Sequence, residues 1–221
     1  MIEQLKKDPF FGDKSIESCT LLEHQGYCNE NYLLVADGVK YIVRKLLRDD
    51  IDRAFEWQVQ NLAFEKGITA EPLVFDSQNG FMLFLFLEGE HKGKLDKSEL
   101  KILAKTLQKL HSVTIEAEPI ELQTDTSIIE CYPNEYVLCH NDLNPQNIFF
   151  SDDIKFIDWE YAGVNDRYFE VACVCVEFRL NEKVQKVFLE AYFNAEYNVE
   201  KLEAYKILYK ILCEEWFKKN L

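Results

Sequence analysis

The fold is decided by Tyr136-Val137-Leu138-Cys139-His140-Asn141-Asp142-Leu143-Asn144-Pro145-Gln146-Asn147-Ile148-Phe149-Phe150, followed after Ser151-Asp152-Asp153 by Ile154-Lys155-Phe156-Ile157-Asp158. Two short apolar runs joined by an acidic turn predict a β-hairpin. Asp142 and Asn147 then fall in the loop before the hairpin and Asp158 at its exit. Three oxygen-bearing side chains are expected to converge there.

Such a set suits phosphoryl transfer. A carboxylate at Asp142 can orient a hydroxyl and accept its proton, and Asn147 and Asp158 are hard oxygen ligands for magnesium bridging the phosphates of ATP. The spacing His-x-Asp-x-x-x-x-Asn is that of a kinase catalytic loop, and Asp158 takes the place of the metal-binding Asp that follows it. An acidic loop is also what a solvated turn looks like, but the flanking strand pattern favours chemistry.

The rest of the chain bounds this reading. At 221 residues it can bury a sizeable core as one domain or two small lobes. Lys and Arg total 25 against 39 Asp and Glu, a formal charge of −14. That field repels nucleic acid and anionic membrane and favours a cationic substrate. No stretch approaches the ~20 apolar residues of a membrane span, and the start Met1-Ile2-Glu3-Gln4-Leu5-Lys6-Lys7 lacks a signal-peptide apolar region, so a cytoplasmic protein is expected. Seven scattered cysteines without paired Cys-x-x-Cys motifs read mostly as reduced core side chains.

Residues 31–36 and 39–46 flank Asp37-Gly38, a strong hairpin signal. A helix is expected from Asp52 to Lys66, with Phe55, Val59, Leu62 and Ala63 at helical spacing and Gly67 as its stop. A second hairpin pairs Leu73-Val74-Phe75 with Phe81 to Leu87, the latter apolar throughout and hence buried on both faces. The polar segment Glu88 to Lys94 is the expected lobe boundary. Beyond it, Asp96 caps a helix with a Leu100, Leu103, Leu107, Leu110 stripe, and from Arg167 onward the pattern is helical.

The continuation Ile157-Asp158-Trp159-Glu160-Tyr161-Ala162-Gly163 carries the loop motif further and resembles the choline and ethanolamine kinases. Within the aminoglycoside phosphotransferase and protein-kinase-like superfamily, the likeness is nearest to bacterial choline kinases that supply phosphocholine for surface glycolipids. It spans roughly residues 15 to 217. The resemblance implies an α+β fold of two lobes, a strand-rich nucleotide-binding lobe over residues 1–88 and a helix-rich catalytic and substrate-binding lobe over 89–221. It also implies ATP and Mg2+ as cofactors, and a cationic amino-alcohol, choline or ethanolamine, as partner. Thiamine, aminoglycoside or sugar kinases of the superfamily, and a catalytically silent nucleotide-binding protein, are the alternatives.

Residue by residue, the resemblance makes Asp142 the base, His140 its orienter, and Asn147 and Asp158 the metal ligands. Arg44, with Glu56 on the next helix, would steady the phosphates; without the resemblance the better reading is a solvent-facing strand residue and an exposed helix charge. Gly26 and Asn29 lie in the turn that would cover the phosphates, and Leu87 in the segment that would hold adenine. Glu177, Tyr161 and Trp216 are the candidate substrate-side residues, with Trp159 a further aromatic wall, although aromatics make up 14% of the chain and any one can be core. The chain departs from the family at Phe169-Glu170, where Phe-Asp is usual, and shows a single Trp216 where two are common. His111 reads as a packing residue at a helix end.

Overall fold

The computed structural model describes residues 2–23, 29–151, 153–194 and 196–220. In chain order the elements are α1 (Ile2–Leu5), β1 (Ile16–Leu21), β2 (Asn29–Ala36), β3 (Val39–Leu46), α2 (Arg53–Glu65), β4 (Pro72–Asp76) and β5 (Phe81–Leu85). Then follow α3 (Lys97–His111), β6 (Tyr136–Cys139), β7 (Ile148–Phe150), β8 (Ile154–Phe156), β9 (Gly163–Asp166), α4 (Arg167–Glu177), α5 (Glu182–Phe193) and α6 (Val199–Asn220). They form two compact units, residues 1–65 with 69–88, and residues 66–68 with 89–221. The change of unit at Glu88 and Gly89 falls in the polar segment, while Lys66–Ile68 goes with the second unit.

The first unit is an antiparallel sheet of order β1-β2-β3-β5-β4. Asp37 and Gly38 both take positive φ, +49° and +72°, the conformation a two-residue hairpin needs to match strand twist. β5 explains its unbroken apolar run by alternation. Phe81 and Leu83 join Leu5, Phe11, Leu34, Tyr41 and Val43 on one face, while Met82 and Phe84 pack with Ala70, Trp57 and Phe75 on the other. The strand ends at Leu85, so Phe86 and Leu87 lie beyond it, half-buried. The helix expected over 52–66 is present as α2; of its expected stripe Val59 and Ala63 are buried and Phe55 and Leu62 half-buried, the rest of the buried face being Glu56 and Gln60. Polar side chains can turn inward there because each is paired: Gln60 donates to Thr69 Oγ1 and the Ala70 carbonyl, at 2.8 and 3.2 Å.

The second unit is built around α4, in which every residue from Tyr168 to Cys175 is buried. It packs on α6 and β6. α3 starts on a full capping box, Asp96 and Glu99 each satisfying the other's end of the first turn, and its four-leucine stripe is fully buried. The two-stranded pairs β6-β9 and β7-β8 carry the signature loop between them. Among the described cysteines, Cys139, Cys173 and Cys175 are buried thiols, Cys19 and Cys213 half-buried, and Cys131 exposed. No helix among the described residues is long and apolar enough to cross a membrane.

Lys201, 1% exposed, spends all three ammonium hydrogens inside this unit, on the Pro133 carbonyl at 2.7 Å, Glu135 Oε1 at 3.0 Å and Asp166 Oδ2 at 2.8 Å. Asp166 is itself the N-cap of α4, accepting from the Tyr168 amide at 2.8 Å. Removing the cation strands a buried carboxylate, a defect that costs about 3–5 kcal/mol. Lys201→Met is therefore expected to lower the unfolding free energy by that order, with Asp166→Asn restoring part of it in the double variant. Urea denaturation of the four proteins checks this.

Candidate active site

Cys139 ends β6, and the chain then turns through His140, Asn141 and Asp142. Asn141 sits at φ +66°, a left-handed conformation that non-glycine residues hold only when neighbours fix it. The neighbours do so. Its side-chain amide donates to the Tyr161 carbonyl at 2.9 Å, and its side-chain oxygen accepts from Asn165 Nδ2 at 2.9 Å. The backbone N–H groups of His140 and Asn141 both donate to Glu170, at 2.7 Å to Oε2 and Oε1 respectively. The longer carboxylate at the Phe-Asp position therefore neither displaces the helix cap, which Asp166 supplies, nor loses the loop; it takes two consecutive amides.

The loop continues as Leu143-Asn144 and a short 3-10 turn over Pro145–Asn147, capped by Asn144, whose Oδ1 accepts from the Gln146 amide at 2.8 Å. Asn144 Nδ2 also donates to Asp142 Oδ1 at 3.0 Å. Asn147, 7% exposed, donates through Nδ2 to Asp142 Oδ2 and to the Asp142 carbonyl, both at 2.8 Å. The amide oxygen of Asn147 is thereby turned away from Asp142. The backbone N–H of Ile157 donates to the Asn147 carbonyl at 3.0 Å, which ties the loop to the exit of β8.

His140 is fully buried and works across the same gap: its Nε2 donates to the Ile157 carbonyl at 2.8 Å, next to Asp158. Asp158 takes φ +67°, so the chain leaves β8 through a second left-handed residue. Asp158 and Glu177 both lie within electrostatic reach of Asp142. Burial raises the Asp142 carboxyl to about 7, the Asp158 and Glu177 charges push the same way, and the Asn144 and Asn147 hydrogen bonds pull against them.

Glu177 is the last residue of α4 and accepts from the Tyr209 hydroxyl at 2.9 Å. Tyr209, Cys213 and Trp216 follow at spacings of four and three along α6, on one face. Cys213 is close enough to feel both Glu177 and Asp142, with burial the larger cause of its raised pKa. Trp216, half-buried, is the next residue along that face and stacks edge-on with Phe217 at 5.3 Å. Tyr161 is half-buried and enters the site through its carbonyl. Trp159 is not a wall: it is fully buried, 4.6 Å from the His140 ring and packed on Phe156.

In the first unit, Arg44 and Glu56 form a buried ion pair at 3.1 Å. Arg44 faces α2 because it alternates with Tyr41 and Val43 of β3, and its cross-strand neighbour Asn31 accepts from its Nε at 3.3 Å. Glu56 takes a second guanidinium, Arg53, at 2.6 Å, and Arg53 also donates to Asn29 Oδ1 at 2.9 Å. Asn29 is thus joined to the Arg44 pair through side chains. Gly26, with Gln25, Tyr27 and Cys28 of the same expected turn, lies outside the described residues, as does Asp152 of the acidic turn.

Several participants escape a sequence reading. His111 is more than a packing residue: its Nε2 lies 3.3 Å from Glu170 Oε2, and its Nδ1 meets the Tyr192 hydroxyl. Glu170 can only accept there, so Nε2 carries the proton and Nδ1 accepts from Tyr192. No local signal marks this contact. The Asn144-Pro145 cap signal does exist in sequence, as does the seven-residue spacing from Tyr209 to Trp216.

The donor set fits a hard divalent cation: Asp158 would offer a carboxylate and Asn147 an amide oxygen directed away from Asp142.

The model of the phosphotransferase enzyme family matches residues 121–206, a span that holds the loop, both metal-ligand candidates and α4. Protein LicA of Haemophilus influenzae is 27% identical over 231 residues, covering 87% of this chain and 86% of that protein. Among solved structures, the choline kinase LicA of Streptococcus pneumoniae superposes with a TM-score of 0.80 at 22% identity, over 99% of this chain and 90% of the other. A spectinomycin phosphotransferase bound to ADP and spectinomycin gives 0.74 at 14% identity, over 96% and 86%. The fold is the two-lobed α+β fold of the kinase-like phosphotransferases, and the chain is a phosphotransferase. Its resemblance to the choline and ethanolamine kinase group, read from the loop motif, is borne out in sequence by LicA and in fold by the solved choline kinase.

The raised Asp142 pKa has a thermodynamic consequence. The folded chain binds this proton at about pH 7 and the unfolded chain near the ordinary 3.8, so the stabilisation is complete below ~4 and lost as pH rises through ~7. Asp142→Asn, which cannot ionise, is expected to raise the melting temperature of the metal-free protein by an amount that grows from pH 5 to pH 8 and then levels off. Calorimetry across that range reads it; a gain independent of pH would place the titration elsewhere.

Proposed function

We propose that this chain transfers the γ-phosphoryl group of ATP, with magnesium, to the hydroxyl of a small amino-alcohol, choline first and ethanolamine second. The observation that carries the reading is the Asp142 carboxylate, held on both oxygens by Asn144 and Asn147 with Asp158 and Glu177 beside it. Asp142 orients the acceptor hydroxyl and takes its proton as the oxygen forms its bond to the γ-phosphorus and ADP leaves. A base poised near neutrality suits this task. Asn147 and Asp158 would hold Mg2+, which when bound neutralises charge on the phosphates. Arg44, braced by Glu56, steadies the phosphates, with Asn29, which opens β2 rather than lying in a turn, linked to that pair through Arg53, Gly26 the covering-turn candidate outside the described residues, and the Leu87 segment against adenine. The ADP held by the spectinomycin phosphotransferase of the same fold supports a nucleotide role for these parts. A cytoplasmic setting, where ATP is supplied, belongs to the same proposal.

On the substrate side, Glu177 ends α4, where the helix dipole is already negative. A carboxylate there, close to a second one, is an unfavourable arrangement that a bound cation relieves. Trp216 supplies an aromatic face for a quaternary ammonium, worth about 0.5–2 kcal/mol, and Tyr161 lies by the loop. The LicA choline kinase supports choline as the first acceptor.

Asp142→Asn is expected to lower turnover by about 10²–10⁴-fold while nucleotide binding survives. Asp158→Ala removes the charged metal ligand, so Mg–ATP affinity and rate fall together, and Asn147→Ala acts more weakly in the same direction. Turnover by coupled ADP release and nucleotide binding by calorimetry separate the two residues; wild-type turnover in Asp142→Asn would remove it from the chemistry.

The acceptor is tested with a panel. Choline is expected to show a KM roughly ten- to hundredfold below that of its neutral isostere 3,3-dimethylbutanol, because shape is kept while the charge terms vanish. Turnover of spectinomycin, kanamycin or thiamine with none of choline or ethanolamine would refute the amino-alcohol and keep the kinase.

A further inference from the structure

Tyr209 is placed where the mechanism above gives it no part. Its ring is 4% exposed and packs edge-on against Phe169 of α4 at 5.7 Å. Its hydroxyl donates to Glu177 Oε1 at 2.9 Å. Phe169, Cys173 and Glu177 recur every four residues along α4, so ring contact and hydroxyl contact fall on one stripe of that helix. The thiols of Cys173 and Cys213 border the same hydroxyl from α4 and α6. A carboxylate can only accept, so the phenol proton points at Glu177.

Glu177 needs such a partner. It stands at the negative end of α4 and near the Asp142 charge, and both repel its carboxylate. A glutamate has three rotatable bonds to comply with. Fixing one oxygen removes that freedom and leaves the second to meet a ligand. The geometry points to Tyr209 as a positioning residue for cation recognition, which locks the Glu177 carboxylate in the orientation that meets the ammonium group of the acceptor. This rests on the amino-alcohol reading of the site.

The test is steady-state kinetics on the full chain with choline and 3,3-dimethylbutanol, for wild type, Tyr209→Phe, Glu177→Gln and the double variant. Tyr209→Phe keeps the ring against Phe169 and deletes only the donor. It is expected to raise the choline KM roughly three- to thirtyfold, with kcat, the KM for ATP and the KM for the neutral isostere unmoved. In the Glu177→Gln background, which has no charge to aim, the same substitution should add nothing. Equal losses on charged and neutral acceptors, an unchanged choline KM, an additive double variant, or loss of the cooperative melt in Tyr209→Phe would each put Tyr209 in the core and overturn the inference. Wild type inert toward both choline and ethanolamine would overturn the acceptor reading itself and this inference with it, and that result is seen before any variant is made.

Discussion

The second unit depends on one carboxylate, Glu170, and the two amides it receives. His140 and Asn141 have left the ladder of β6 and need acceptors for their N–H groups; a buried ionised side chain needs donors. Each requirement answers the other, through charge-assisted bonds of 2.7 Å. Once those amides are fixed, the left-handed turn at Asn141 is over-determined, Asp142 is aimed, and the His140 ring reaches the Ile157 carbonyl to set Asp158. The donor atoms of His111, Cys139 and Glu170 lie within 4.8 Å of one another, a spacing a metal could use. Both Glu170 oxygens are already committed to amides, however, and burial holds the Cys139 thiol well above its ordinary pKa, so the trio acts as a polar core.

α4 connects this clamp to Glu177, on the proposed acceptor side. Glu170 and Glu177 are seven residues apart, hence on one face and about 10 Å apart along the axis. One end of the helix holds the loop that carries Asp142 and the other presents Glu177. The buried Lys201 cluster secures the helix at its cap, so that a single rigid element sets both. Sites supported on such elements hold geometry better than sites carried by loops alone.

Local signals were legible in sequence and distant ones were not. Asp37-Gly38 announces its hairpin because only a few residue types accept two positive φ angles in a row. Asp96 and Glu99 announce α3, and the acidic turn announces β7 and β8. The pairing of β6 with β9 is silent, since four-residue strands some two dozen positions apart carry no periodicity to read. The inward face of α2 was only half legible, at Val59 and Ala63, because hydrophobicity cannot foresee that two arginines and a threonine would make Glu56 and Gln60 buriable. Trp159 shows the converse: an aromatic beside a motif is more often the wall behind a loop than part of its pocket. The approach of Asn147 and Asp158 to Asp142 was readable because the loop spacing brings them together, whereas His111 and Tyr209 act through contacts that only the folded chain creates.

The electrostatics of the proposed acceptor site select a charge, and its surfaces must select between amines. Glu177 and Asp142 attract any small cation, quaternary or primary. A primary ammonium can donate up to three hydrogen bonds and is served by carboxylate oxygens, so a site rich in acceptors favours ethanolamine. A trimethylammonium donates none and gains only from aromatic faces and apolar contact. With Tyr209 drawing one Glu177 oxygen into a hydrogen bond, the site loses one acceptor and keeps its charge. That trade leaves the Coulomb attraction common to both amines nearly intact while occupying an acceptor position that only ethanolamine can use. On the proposed acceptor reading the balance would shift toward choline even with the single indole of Trp216 on the α6 face, and the proposed role of the Tyr209 hydroxyl would extend from orientation to discrimination.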